Sequence, residues 1–251
     1  MLGIMGISGF FGRLNISQLS ISLNFPEEIY AKKAFPLKVT VKNGKNLPSL
    51  AVGVEVEGKR KSIPVIEGKG KREAVLELTA PSRGRHRIKE IRIFSPFPFA
   101  FFVRSYTVKT DRDFLVFPQP IKCPHISEEA EKAGDSQLPT AKGLEGELVN
   151  IREYHPSDPL KLIHWKASAK KGKLLVKEFS RNASEAVLID FDEINLPLEE
   201  RLSCIAYLIQ CAYSRKIPFG LKIKDRLFPP ETGKAHKLRL LRELALFNPE
   251  R

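Results

Sequence analysis

The sequence predicts an α+β protein, an antiparallel β-sandwich followed by a smaller α/β module. From Leu19 to about Pro118, apolar and polar residues alternate with a period of two, in short runs separated by turn residues. A polar stretch, Pro124 to Lys142, interrupts that pattern. Beyond it, continuous apolar runs alternate with helical stripes in the order strand, helix, strand, helix.

In Leu37-Lys38-Val39-Thr40-Val41-Lys42 the apolar residues face one way and the polar ones the other, as in a half-buried strand. Val52 to Val56, Ala74 to Leu78, Ile91-Arg92-Ile93 and Asp113 to Phe117 repeat the theme. Turn chemistry separates them at Asn43-Gly44, Gly58-Lys59, Gly68-Lys69-Gly70 and Pro81 to Gly84, and Gly68 to Arg72 reads as a hairpin turn. Short strands at such spacing predict a sandwich. Pro124 to Lys142 reads as a linker with one helical turn around Glu128 to Ala133. In the second module, Glu185 to Ile189 suits a strand buried in a parallel sheet. Leu198, Leu202, Ile205, Leu208, Ile209 and Ala212 form a helical stripe opened by Pro197; Phe219 to Ile223 reads as a strand and Lys234 to Phe247 as a closing helix. The expected segments are an apolar start (1–18), the sandwich (19–122), the linker (123–142) and the final module (143–251).

Forty-two Lys and Arg against 29 Asp and Glu give a net charge of +13, and 42% hydrophobic residues exclude a wholly disordered chain of 251 residues. Cys123, Cys204 and Cys211 show neither a CxxC pairing nor a His cluster, so no disulfide framework or zinc knuckle is readable and a reducing cytoplasm is expected. No stretch approaches the roughly 18 consecutive apolar residues of a spanning helix, which predicts a soluble chain. Met1 to Phe11 is nonetheless almost entirely apolar or small, with no charge before Arg13. It reads either as an N-terminal strand or docked tail, or as the stub of a membrane or surface anchor.

Between sandwich and α/β module lies Gly143 to Phe179, which holds Arg152-Glu153-Tyr154, a turn from His155 to Pro159, the single tryptophan Trp165, Gly172 and a strand-like Leu174-Leu175-Val176. This string resembles the signature of the DUF58 family, written REY…GD…R.I.W+..A+.G.L.V+E. The matching positions are Arg152, Glu153, Tyr154, Asp158, Ile163, Trp165, Lys166, Ala167, Ala169, Gly172, Leu174, Val176, Lys177 and Glu178. Ser157 stands where glycine is usual, and Lys161 and Lys170 where arginine is usual, which keeps charge but loses the planar bidentate fork. Upstream, Ser82 to Ile88, Ser95 to Phe99 and Phe117-Pro118 look like further family motifs. The resemblance implies a shortened von Willebrand factor A-like α/β module, membrane anchoring, a cytoplasmic soluble part and a MoxR-type AAA+ ATPase as partner.

Around Trp165, the charges of Arg152, Glu153 and Asp158 either staple the segment to the sheet or, with Tyr154 and Lys166, form a partner-docking face, since Trp, Tyr and Arg concentrate binding energy. Lys161, Lys170, Lys171 and Lys173 are expected on an exposed basic face. Lys161 to Arg181 holds seven basic residues against one acidic, either a solvated face or a stripe for an anionic membrane surface. No motif or interleaved aromatics speak for nucleic acid. Where a von Willebrand A fold carries its Asp-x-Ser-x-Ser cation loop, this chain has Asp190-Phe191-Asp192-Glu193-Ile194. Without the hydroxyl pair, Asp190 and Asp192 are expected to cap the strand end, and no metal or cofactor is predicted. His86, His125, His155, His164 and His236 form no catalytic pattern, and no phosphate-cradling glycine loop is present. The expected function is therefore a non-enzymatic adaptor acting with the ATPase in assembly of protein complexes at the cytoplasmic membrane face. A divalent-cation-dependent binding module, or a nucleic-acid or anionic-lipid binder using residues 161–181, is the alternative.

Overall fold

The computed structural model describes residues 2–100, 102–123, 148–153, 168, 172–179 and 186–248. It is mixed α+β, with mostly antiparallel sheets and three helices among the described residues. The chain divides into two compact units, one of Met1–Ile121, Leu198–Ala206 and Leu238–Arg251, the other of Lys122–Pro197 and Tyr207–Lys237.

The first unit opens with helix α1 (Leu2–Ile16) and continues through β1 (Leu19–Asn24), β2 (Ala34–Asn43), β3 (Ser49–Val56), β4 (Lys59–Ile66), β5 (Lys71–Thr79), β6 (Gly84–Ser95) and β7 (Arg104–Val116). One antiparallel sheet has the order β1-β2-β5 and the other β4-β3-β6-β7. In β2 the alternation is strict: Phe35, Leu37, Val39 and Val41 are buried. With Leu76 from β5 they share one core with Val52 and Val54 of β3 and Ile88, Ile91 and Ile93 of β6, so the two sheets bury their apolar faces against each other.

Turn residues marked the strand ends without showing where the chain goes next. Glu57-Gly58, with φ of 46° and 76°, closes the β3–β4 hairpin as residues of positive φ should. The run Gly68 to Arg72 is not a hairpin turn, because β4 and β5 belong to different sheets. The buried Asn43 explains this passage: its amide donates to the carbonyls of Leu47, Ile66 and Glu67 and its oxygen accepts from the Lys45 amide, stitching two inter-sheet connections together. A Cβ at Gly68 would collide with the Asn46 carbonyl, so glycine lets these connections cross closely.

The N-terminal stretch is a helix rather than a strand. Four glycines at positions 3, 6, 9 and 12 give it poor intrinsic propensity, and its C-terminal end is instead held by tertiary bonds. The buried Asn15 side chain donates to Leu50 O and Ser95 Oγ and accepts from Leu50 N, copying the pairing of a strand. Lys45 and Ser49 donate to the Asn15 carbonyl. No helix among the described residues is long and apolar enough to cross a membrane.

Cys123 and Cys204 are disulfide-bonded and Cys211 is free, against the expectation of no disulfide. Pairing depends on spatial approach, which sequence spacing does not reveal. Such bonds persist in oxidising compartments and in intracellular proteins of hyperthermophiles, so a reducing cytoplasm no longer follows from the cysteines.

Two strands, β8 (Leu148–Glu153) and β9 (Leu175–Phe179), pair antiparallel in the second unit. A three-stranded sheet there has the order β10 (Val187–Asp190), β11 (Phe219–Ile223), β12 (Arg226–Glu231), parallel between β10 and β11 and antiparallel between β11 and β12. Pro229 and Pro230 disguised β12 in the sequence, yet an edge strand tolerates proline. Helix α2 (Leu198–Ser214) follows Pro197, carries Glu199 and Glu200 in its first turn and buries Leu202, Ile205, Leu208, Ile209 and Ala212. The final helix, α3 (Lys234–Leu246), buries Leu240, Leu241, Leu244 and Ala245.

Candidate functional site

The register of β8 and β9 brings together the two ends of the signature segment. Arg152 pairs with Val176, Glu153 with Leu175, Ile151 with Lys177 and Asn150 with Glu178. Glu178 is therefore opposite Asn150 and Arg152 opposite Val176. Within the segment, the buried Ser168 hydroxyl accepts from the Leu175 amide at 2.9 Å, tying residue 168 to the start of β9. Ser168 fills an unspecified position of the signature, between Ala167 and Ala169, so nothing in the sequence singled it out. Gly172 has a φ of 64°, which accounts for glycine at that signature position. Lys173 follows and is exposed, Leu174 is exposed and Leu175 is buried. Tyr154, Asp158, Lys161, Trp165, Lys166, Lys170 and Lys171 lie outside the described residues, as do residues 124–142 of the linker, His155, His164 and Arg181.

At the carboxyl ends of β10 and β11, Lys222 Nζ donates to Asp190 Oδ2 at 2.7 Å, and the Asp192 amide donates to Asp190 Oδ1 at 3.0 Å. The Lys222 ammonium holds the Asp190 carboxyl below the usual carboxylate range, helped by the Asp192 N–H, while partial burial opposes the shift. The same bond raises the Lys222 pKa. Asp190 is thus a strand-end cap as expected, with an ammonium rather than a second carboxylate on its other oxygen. Among the described residues no three His, Cys, Asp or Glu side chains converge as metal ligands.

The upstream motif positions have structural work. Arg83, nearly buried, donates from Nε to Leu244 O at 3.1 Å and from Nη2 to Phe247 O at 2.7 Å, and its guanidinium also meets Glu199. It therefore caps the C-terminal carbonyls of α3, where a cation also complements the helix dipole. Gly84 has a φ of 114° and leads into β6. The Phe97–Pro98 bond in the β6–β7 connection is cis. Phe117 donates to Ile29 O and accepts from Ala31 N, closing the end of β7 against residues 29–31. Of the described histidines, His86 donates from Nε2 to Ser82 O, and the buried His236 donates from Nε2 to Phe219 O, leaving Nδ1 3.4 Å from a Glu231 carboxylate oxygen. Neither adjoins a nucleophile in these contacts.

No protein-family profile matches the chain. The chain is similar to the uncharacterized protein YeaD of Bacillus subtilis (strain 168), with 23% identity over 176 residues, 68% of this chain, and it spans 44% of that protein's length. Among solved structures, the CARDB domain of PF1109 from Pyrococcus furiosus aligns with 37% of this chain and 93% of its own, at 16% identity and a TM-score of 0.25. The same domain in complex with di-metal ions aligns at a TM-score of 0.23 and 16% identity, over 36% of this chain and 90% of its own. No fold assignment follows from scores this low.

Proposed function

We propose that this chain is a DUF58-type adaptor, without enzymatic activity of its own, that works with a MoxR-type AAA+ ATPase in assembling protein complexes at the cytoplasmic face of the membrane. Residues 143–251 are read as a shortened von Willebrand factor A-like module: along the chain β10, α2 and β11 follow the strand-helix-strand order, with β10 and β11 parallel. One observation carries the docking role. Pairing of β8 with β9 fixes both ends of the segment containing Tyr154, Asp158, Trp165 and Lys166, and Ser168 ties it once more to Leu175. Holding the ends of a binding segment in place lowers the entropy lost when it orders on a partner, which favours binding. The cation-dependent alternative is disfavoured by Lys222, whose ammonium already neutralises Asp190.

The test is affinity capture from lysate of the source organism with the wild-type chain and Trp165→Ala, with and without ATP. Nucleotide-sensitive enrichment of an AAA+ ATPase by the wild type, lost in a Trp165→Ala chain whose circular dichroism is unchanged, is the expected result. Capture of nucleic acid alone, lost at high salt, would replace the adaptor reading with one based on the basic residues 161–181.

A further inference from the structure

Both sheets of the first unit contribute to a cavity of about 440 Å³, a size within the range of small-molecule sites. Strand register decides much of its lining, because residues directly opposite each other in an antiparallel pair share a face. From one sheet come the buried Phe35 and Leu78, opposite each other on β2 and β5. From the other come His86 and Phe114, opposite each other on β6 and β7 with ring centroids 5.6 Å apart. Phe114 is also 5.7 Å from Phe35 and stacks on Phe25 at 4.9 Å, which fixes the plane of its ring. The buried Ile88 completes an aromatic and aliphatic wall.

One charge stands on the inner side of this wall. Lys59, the first residue of β4, lines the cavity and is opposite the buried Val56, so its stem leaves the core-facing side of the sheet. Lys61, opposite the buried Val54, is on that side too, and inward charges on an edge strand oppose edge-to-edge pairing. Lys59 differs in sharing its cavity with the rings of Phe35, His86 and Phe114. It makes no ion pair with another described residue. Arg87, the other strong cation in the lining, is already held by Asp113, through Nε at 2.6 Å and Nη2 at 3.2 Å. An ammonium beside apolar walls attracts an anion more strongly than one in open water. Glu57, at the tip of the β3–β4 hairpin, is the one acid in the lining and opposes a second negative charge, so a monoanion fits better than a phosphate monoester.

We propose that this cavity binds a small aromatic carboxylate, its ring held between the Phe35–Leu78 and His86–Phe114 pairs and its carboxylate on the Lys59 ammonium. The site uses no residue of the signature segment and stands or falls independently of the adaptor reading.

The full chain, labelled at its Ile and Leu methyl groups, is titrated with phenylacetate and, separately, with the uncharged phenylacetamide, and followed by NMR and calorimetry. Saturable binding of phenylacetate that shifts the Ile88 and Leu78 methyl signals is expected, about tenfold or more tighter than that of the amide. Lys59→Met keeps the stem and should erase the preference for the acid while leaving amide binding and the melting curve unchanged, because Lys59 is exposed. Glu57→Gln should tighten acid binding by about twofold or more, as a like charge leaves the mouth. Phe114→Leu removes a ring from the wall and should weaken acid and amide alike. Inorganic phosphate should not compete. The proposal is overturned by an absence of saturable binding at millimolar phenylacetate, by equal affinity for acid and amide, or by a preference for the acid that survives Lys59→Met. Methyl shifts confined to residues away from Ile88 and Leu78, or weaker acid binding in Glu57→Gln, would overturn it as well.

Discussion

The ammonium of Lys45 donates to the Asn15 carbonyl at 2.8 Å, so the C-terminus of α1 is closed by a buried cation. The same ammonium donates to Ser17 O and Ser49 Oγ, using three donors on three acceptors. Burial pushes the Lys45 pKa down, and the carbonyl end of the helix is where a positive charge is best tolerated. Through this contact the end of the apolar helix is tied to the β2–β3 connection and the start of β3.

Lys45→Met should keep the aliphatic stem and leave the Asn15 and Ser17 carbonyls short of a donor. The expected loss is about 1–3 kcal/mol in a urea titration, with faster amide exchange in the last turns of α1 than in β2. An unchanged midpoint would mean that water replaces the ammonium at no cost.

Arg83 makes an analogous capping contact on α3, where its two donors reach carbonyls three residues apart. Arg83→Ala should destabilise the chain by about 1–3 kcal/mol and raise exchange specifically around residues 240–248. Arg83→Lys should rescue only part of this, because an ammonium is a point donor and not a planar fork. Full rescue by lysine would reduce the role of Arg83 to its charge.

A third test concerns Gly53 of β3, which pairs with Phe94 of β6. The Phe94 ring lies where a Gly53 Cβ would stand, and Arg60 sits over that ring at 5.9 Å. Gly53→Ala should cost about 1–3 kcal/mol as the ring is forced aside. In the Phe94→Ala background the same change should be close to neutral, so the double-mutant cycle should be strongly non-additive. Additive effects would show that Phe94 moves freely.

These contacts also show what sequence could convey. β2, the turn at Gly58, α2 and β11 were legible because burial enforces a period or because one position needs a positive φ. The α1 helix was not, since its glycines argue against a helix and the bonds from Asn15 and Lys45 come from residues 30 or more positions away. β4 was hidden by Lys59, Lys61 and Pro64, residues that suit an edge strand and read as loop. In the candidate site, Gly172 and the strand-like Leu174 to Val176, which overlaps the start of β9, could be read locally. The carbonyls that Arg83 caps and the Lys222 on Asp190 could not, because each is fixed by tertiary approach rather than by spacing.

The Asp190–Lys222 pair yields a prediction with a definite sign. The carboxyl of Asp190 titrates below its unfolded value, so the folded state gains from its ionised form at every pH above that unfolded value, near 3.9. That gain is lost as pH falls through the depressed folded value. Asp190→Asn keeps an oxygen for the Asp192 amide while removing the charge, and it should melt slightly below wild type at neutral pH. The difference should stay constant down to about pH 4 and then close as the wild-type carboxyl protonates. Because Lys222 is well exposed, added salt should shrink the neutral-pH difference as well. Millimolar Mg²⁺ should leave both melting curves where they are, since the ammonium already neutralises the carboxylate; a wild-type curve raised by Mg²⁺ and an unresponsive Asp190→Asn would instead show that the cation displaces Lys222 and restore the metal-dependent reading.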